Sequence, residues 1–246
     1  MLEQQECDKQ QERYKQQERY KRNYKTISLE QQQILAQSTV TVIGCGGLGG
    51  FIIEGLARSG VGSLRLVDFD TFDVSNLNRQ LFSTEQTVGA SKLEQAVARV
   101  QAINSSVHVE AVEMMADLDN LPQIIQGSHV VVDAVDAIDV KIWLEQSCNS
   151  MNIPLIYGAI GGNYGQMAVS LPGSPVVSTL YREGQKHGIE KTLGNPYYTP
   201  CVVGGMMVKL AFDVLFDADY ETGGFYFIDL DSYMINFIST KGDVAT

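Results

Sequence analysis

Thr39-Val-Thr-Val-Ile43 runs directly into Gly44-Cys-Gly-Gly-Leu-Gly49, and this stretch decides the fold class. The β-branched run reads as a buried strand that stops at glycine. The spacing Gly44-x-Gly46-x-x-Gly49 gives a tight turn and brings backbone N–H groups at a helix start within reach of a phosphate. An apolar helical pattern then continues through Ala57. A second strand, Ser63–Val67, ends at Asp68, where a carboxylate can accept hydrogen bonds from ribose hydroxyls. Strand, glycine loop, helix, strand and acid in that order predict a bound nucleotide held by Gly44, Gly46, Gly47, Gly49 and Asp68.

Outward from this unit the alternation continues. Ala90–Ile103 reads as a helix, Val107–Val112 and His129–Val132 as strands, and Ile138–Ser150 as a helix. Pro154–Tyr157 and Gln166–Ser170 read as strands. Residues 172–199 carry several Gly and Pro without a period and read as a long loop, which in a compact domain is usually functional. A helix is expected over Cys201–Phe216, followed by a hairpin of Phe225–Leu230 and Tyr233–Ile238. The pattern predicts an α/β domain over 29–246. Its sheet is doubly wound, mostly parallel and Rossmann-like, with an antiparallel C-terminal extension. Ligands on such sheets bind outside the carboxyl ends of the strands, where Gly44, Asp68 and Asp133 fall.

Residues 1–28 differ in kind. They are almost all Gln, Glu, Lys, Arg and Tyr, and the six residues Lys9–Tyr14 recur as Lys15–Tyr20. These are helix formers, but without an apolar stripe the segment reads as a polar arm, either a loose solvated helix or one that orders against something else.

The chain has 246 residues and a formal net charge of −11. That balance argues against a broad nucleic-acid or anionic-membrane surface, which needs a basic face, but leaves room for a small phosphate site. No apolar run approaches the ~20 residues of a membrane helix, and no signal-like segment opens the sequence. The four cysteines, Cys7, Cys45, Cys148 and Cys201, form no CxxC pair. Free thiols in a cytoplasmic protein are expected, and no zinc. His108, His129 and His187 share no ligand spacing, while Trp143 and Met206-Met207 read as core.

The segment after the second strand carries the chemistry. Asp68-Phe-Asp70-Thr-Phe-Asp73-Val-Ser-Asn76-Leu-Asn78-Arg79-Gln80 is dense in Asp, Asn and Arg. Hydride transfer to a dinucleotide needs no such segment, whereas a site for a triphosphate and magnesium does. Lys92, in the first turn of the next helix after Val88-Gly-Ala-Ser91, can reach a phosphate from there.

These motifs resemble the adenylating enzymes of the ThiF/MoeB/HesA type, bacterial relatives of the ubiquitin-activating enzymes. The residues that carry the resemblance are Val42–Gly49, Val67–Asp70, Ser75–Gln80 and Val88–Lys92. It covers about residues 19–240. It implies that the chain binds ATP and Mg2+ together with a small ubiquitin-like sulfur-carrier protein of the ThiS or MoaD kind. The carrier's C-terminal Gly-Gly carboxylate would attack the α-phosphate, releasing pyrophosphate. A carboxylate is already ionised at neutral pH, so the demand is for charge neutralisation rather than a general base. The resemblance assigns Asp68 to the ribose. It assigns Asn76, Arg79 and Lys92 to the phosphates, with Asp70 and Gln80 beside them. Asp136 matches the aspartate near magnesium and lies at the same sheet edge as the glycine loop; a helix N-cap is its other reading. Arg19-Tyr-Lys-Arg22-Asn23 resembles the segment whose second arginine crosses a homodimer interface, so Arg22 is expected at the partner's phosphates, with Arg13 and Arg19 as rivals by register.

Three departures stand out. Ala137 and Lys141 replace the Asn and Arg usual after that aspartate, the paired zinc cysteines are missing, and residues 172–199 contain no cysteine. Cys201 is then the one candidate nearby for a thioester or persulfide link. It follows Pro200, and a thiol in the first turn of a helix is acidified; packing as a small apolar residue is its other reading. Other functions for the same fold are a tRNA threonylcarbamoyladenosine dehydratase, a dinucleotide-dependent oxidoreductase, and a non-catalytic scaffold that binds a carrier.

Overall fold

The computed structural model describes residues 18–181, 185 and 188–240. Cys7, Arg13, His187 and the first copy of the six-residue repeat lie outside the described residues.

The fold is an eight-stranded sheet in the order β3-β2-β1-β4-β5-β6-β7-β8. The strands are β1 Thr39–Ile43, β2 Ser63–Asp68, β3 His108–Glu113, β4 Val130–Asp133, β5 Leu155–Gly161, β6 Tyr164–Ser170, β7 Gly224–Asp229 and β8 Met234–Ser239. β1 to β5 are parallel, and β6, β7 and β8 extend the sheet antiparallel. This is the mixed, doubly wound sheet expected from the sequence. The main helices are α1 Leu29–Gln37, α2 Gly47–Ser59, α3 Lys92–Ile103, α4 Leu121–Ile125 and α5 Ile138–Ser150. Two short ones follow, α6 Val177–Leu180 and α7 Glu190–Leu193, then α8 Tyr198–Leu215.

Each face of the sheet has its own core. Leu48, Ile52 and Leu56 of α2 pack with Leu93 and Val100 of α3 and Val203 and Met207 of α8 on one face. Leu121, Ile125, Leu144 and Cys148 pack with Val131, Leu155 and Tyr157 on the other. β1 lies between β2 and β4, so the chain leaves β1 and β4 toward opposite faces of the sheet. That is the switch point where open α/β sheets bind ligands.

The structure differs from the sequence reading in several places. The long loop 172–199 contains α6 and α7, which are too short to show a period. α1 is held by a capping box between Ser28 and Gln31 rather than by an apolar stripe. α8 begins at Tyr198, so Pro200 is its third residue and not its first. Its 18 residues are apolar enough to span a membrane by composition, yet half of that window is buried against α2 and β5.

Packing against the core also begins before Leu29. Tyr20 is 6% exposed, and its hydroxyl accepts from Asn104 Nδ2 at 2.9 Å. Arg19 donates to the Ile103 carbonyl at 2.6 Å. Gly60, at φ +81°, leaves the space that Tyr20 fills: a Cβ there would stand 2.2 Å from the Tyr20 hydroxyl. One aromatic among polar residues has no periodicity, which is why the sequence reads as an unanchored arm.

Candidate functional site

The glycine loop is built by close approach. Gly44, at φ +99°, accepts no Cβ because the Ala134 carbonyl oxygen would lie 2.7 Å away. A Cβ on Gly49 would meet the Gly44 carbonyl oxygen at 1.9 Å, so Gly49 serves the packing of the loop and does not line the cleft. The N-cap of α2 is Gly46, and no side chain caps the helix. Its first N–H groups therefore face the cleft without a competing side chain, the arrangement that suits an anion.

The second strand closes this loop. Asp68 accepts from Cys45 N at 2.6 Å with Oδ2 and from Asp70 N at 2.8 Å with Oδ1. Asp70 in turn holds the Lys92 ammonium at 3.0 Å, and Lys92 is 8% exposed. Arg79 lies over Gly47, its Nε about 4.0 Å from where a Cβ would stand. Its Nη1 donates to the Ser75 carbonyl at 3.0 Å and to Asn78 Oδ1 at 2.9 Å. Gln80 lies against Gly46, and its Oε1 is buried without a donor among the described residues.

These groups share one cleft of about 920 Å³ with Asp136. Asp136 is exposed and has no hydrogen-bond or ion-pair partner among the described residues. It is not the N-cap of α5: that position is Ala137, and no side chain caps the helix. The set fits a nucleotide triphosphate: an uncapped helix start and two cations for the phosphates, and a carboxylate at the end of β2 for the ribose. Asp136 is the free carboxylate that would hold magnesium beside it.

Three residues assigned by resemblance lie elsewhere. Asn76 does not line the cleft, and its Oδ1 accepts from Asp73 N at 3.0 Å within a capping box. That bond shapes the turn that presents Arg79. Cys201 is half-buried and outside the cleft. Cys201 is the fourth residue of α8, its amide bonded to the Tyr197 carbonyl at 3.4 Å, so the helix starts earlier than the proline suggests. Arg22 is exposed and does not line this chain's cleft. Tyr20 anchors the arm at Gly60, the far end of α2 from the glycine loop. Thirteen residues of helix separate them, about 20 Å at ~1.5 Å per residue.

Lys141, which stands where the resemblance expects Arg, is 2% exposed. Its ammonium sits 3.1 Å from both oxygens of Asp133 and 2.7 Å from the Gly158 carbonyl, above the Tyr157 ring. Burial pushes the Asp133 carboxyl above its usual range, and Lys141 opposes that rise. The pair is a floor under the cleft rather than a free phosphate contact. Burial likewise raises the thiols of Cys45 and, to about 12, Cys148.

Away from the phosphate end the cleft continues between β5, β6 and the crossover, past Gly161, Gly165, Tyr181 and Asn195. Sequence reasoning missed what shapes this part. Glu145 of α5 accepts from Val176 N, Val177 N and Ser178 N at 2.6–2.8 Å and pins the start of the crossover. Tyr181 then meets the Tyr157 hydroxyl at 2.6 Å. A buried Glu in a helix core is the one sequence signal, and it names no partner.

Residues 20–241 match the ThiF family. The chain belongs to the ThiF family. The reading of an enzyme of this adenylating type rests on that membership as well as on the motifs. A SAMP-activating enzyme E1 from Haloferax volcanii is 38% identical over 191 residues, covering 76% of this chain and 71% of its own. A sulfur carrier protein adenylyltransferase from Thermus thermophilus is 33% identical over 195 residues, covering 76% and 72%. A tRNA threonylcarbamoyladenosine dehydratase from Bacillus subtilis is 43% identical over 136 residues, covering 55% and 54%. The crystal structure of E. coli MccB with ATP superposes with a TM-score of 0.79 at 20% identity, covering 90% of this chain and 71% of that one. At that identity the likeness shows the fold.

Proposed function

We propose that this chain adenylylates the C-terminal Gly-Gly carboxylate of a small ubiquitin-like sulfur-carrier protein, using magnesium-ATP and releasing pyrophosphate. The observation that carries the reading is one cleft with two unlike ends. One end has the glycine loop, Asp68, Arg79, Lys92 and Asp136. The other lies between β5, β6 and the crossover and is bordered by Gly161 and Gly165. A relative named a sulfur carrier protein adenylyltransferase supports it.

The step needs no base. The ionised carboxylate attacks the α-phosphorus, an acyl–phosphate bond forms, and the bond to pyrophosphate breaks. Magnesium, when bound, neutralises the polyphosphate and steadies the leaving group. Arg79 and Lys92 stabilise charge on the phosphates, Asp68 holds the ribose, and the α2 N-terminus takes up the remaining negative charge. Asp136 would hold the metal.

Arg22 completes the site from the partner in a homodimer. The anchoring of Tyr20 at the far end of α2 supports this, because the arm leaves Arg22 remote from its own glycine loop. Two-fold dimers are the commonest assembly and would let each subunit lend one arm.

A second reading, a tRNA threonylcarbamoyladenosine dehydratase, is favoured by the 43% identity to the Bacillus relative. The net charge of −11 weighs against it. The test is intact-mass spectrometry of Gly-Gly carrier proteins after incubation with enzyme, ATP and magnesium. A carrier that gains one AMP supports the first reading. ATP consumption that requires threonylcarbamoylated tRNA and ignores every carrier overturns it.

A further inference from the structure

Asn195 lines the cleft on its crossover side, and its side-chain carbonyl is buried with no donor among the described residues. The turn that carries it is fixed. Its main-chain carbonyl accepts from Asn78 Nδ2 at 3.0 Å. The neighbouring Gly194 carbonyl accepts from Gly162 N at 2.7 Å. Pro196 restricts the backbone of Asn195 from the other side. Asn78 also holds Arg79, whose Nη1 donates to Asn78 Oδ1 at 2.9 Å. A single side chain thus links the crossover to the guanidinium at the phosphate end.

A buried acceptor without a donor is costly, and native folds keep few of them. The other orphan in the cleft, Gln80 Oε1, lies at Gly46 and so belongs to the nucleotide end. Asn195 lies on the side of the acyl substrate. Phosphate oxygens and the reacting carboxylate only accept hydrogen bonds and cannot satisfy it. The nearest donor on a peptide tail is the N–H of its last residue, borne on the same carbon as the carboxylate.

We propose that Asn195 accepts a hydrogen bond from the last amide N–H of the acyl substrate. It thereby selects an N-acylated amino-acid carboxylate over a simple one, and Asn78 is the positioning residue that keeps this contact in register with Arg79. The inference rests on the carrier-tail reading above.

The test compares a full-length Gly-Gly carrier with a semisynthetic copy whose last amide is an ester, which removes the N–H without adding bulk. ATP–pyrophosphate exchange is measured for the intact enzyme and for Asn195→Ala. The intact enzyme should lose at least ~10-fold in kcat/KM for the carrier on ester replacement. Asn195→Ala should already be slowed with the amide carrier and lose little more with the ester, with the KM for ATP and the magnesium dependence unchanged. Equal losses in both enzymes, or none in the intact one, would overturn the Asn195 contact alone. A variant altered chiefly in its magnesium dependence would also overturn it, by assigning Asn195 to a metal-bound water. No exchange with any carrier would instead bring down the carrier reading, and this inference with it.

Discussion

The amide of Cys45 donates to Oδ2 of Asp68 at 2.6 Å, so the carboxylate that ends β2 also ties down the loop that follows β1. Two jobs follow for one side chain. Asp68→Ala should weaken ATP binding by at least ~10-fold and cost about 1–3 kcal/mol of stability, since a buried N–H loses its acceptor. Asp68→Asn should recover part of the stability and less of the affinity. Calorimetric titration with ATP and denaturant unfolding of both variants separate the two losses. Titration with NAD in parallel should give no binding.

Arg79→Ala and Asp136→Ala should each lower adenylate formation by ~10²–10³-fold, as for loss of one charge-stabilising group in a transition state. Asp136 is exposed and without a partner among the described residues, so its variant should unfold at the same denaturant concentration as the wild type. Normal rates in either variant, measured by release of pyrophosphate, would move the site elsewhere.

The unit from β1 to Asp68 was legible because it is local: strand, glycine loop, helix and acid follow one another within 30 residues of sequence. The crossover was not. Glu145, Asn78 and Asn195 act through contacts between segments far apart in the chain, and each is an ordinary polar residue where it stands. Tyr20 escaped for the same reason, since its partners Gly60 and Asn104 belong to α2 and the end of α3. The start of α8 was placed three residues late because a proline marks the first turn of a helix more reliably than its first residue.

Lys141→Met should be costly, about 3–5 kcal/mol, because it leaves Asp133 buried without its cation. The pH dependence has a definite sign. Burial already raises the Asp133 carboxyl, and without Lys141 it rises further. The folded variant then holds a proton that the unfolded chain releases near pH ~3.9. Its stability must fall as pH rises above that value, until the folded carboxyl itself ionises. Urea unfolding at a series of pH values should show a deficit relative to wild type that widens with pH. A deficit that narrows with rising pH would contradict this account of the pair.

The arm gives a complementation test. Arg22→Ala and Arg79→Ala should each be inactive alone, and mixing them should restore part of the activity, because a heterodimer has one site with both defects and one intact. Gly60→Ala should mimic Arg22→Ala, since its Cβ displaces Tyr20, which anchors the arm. No recovery on mixing, with subunit exchange demonstrated, would reject a shared site.

The most direct measurement is ATP–pyrophosphate exchange with and without a carrier protein ending in Gly-Gly. Exchange reports reversible attack of a carboxylate on the α-phosphate and nothing later. The account predicts exchange that requires the carrier, disappears when its terminal glycine is removed, and falls ~10²–10³-fold in Asp136→Ala. Exchange that proceeds equally without a carrier, or that responds to tRNA and to no carrier, would contradict it.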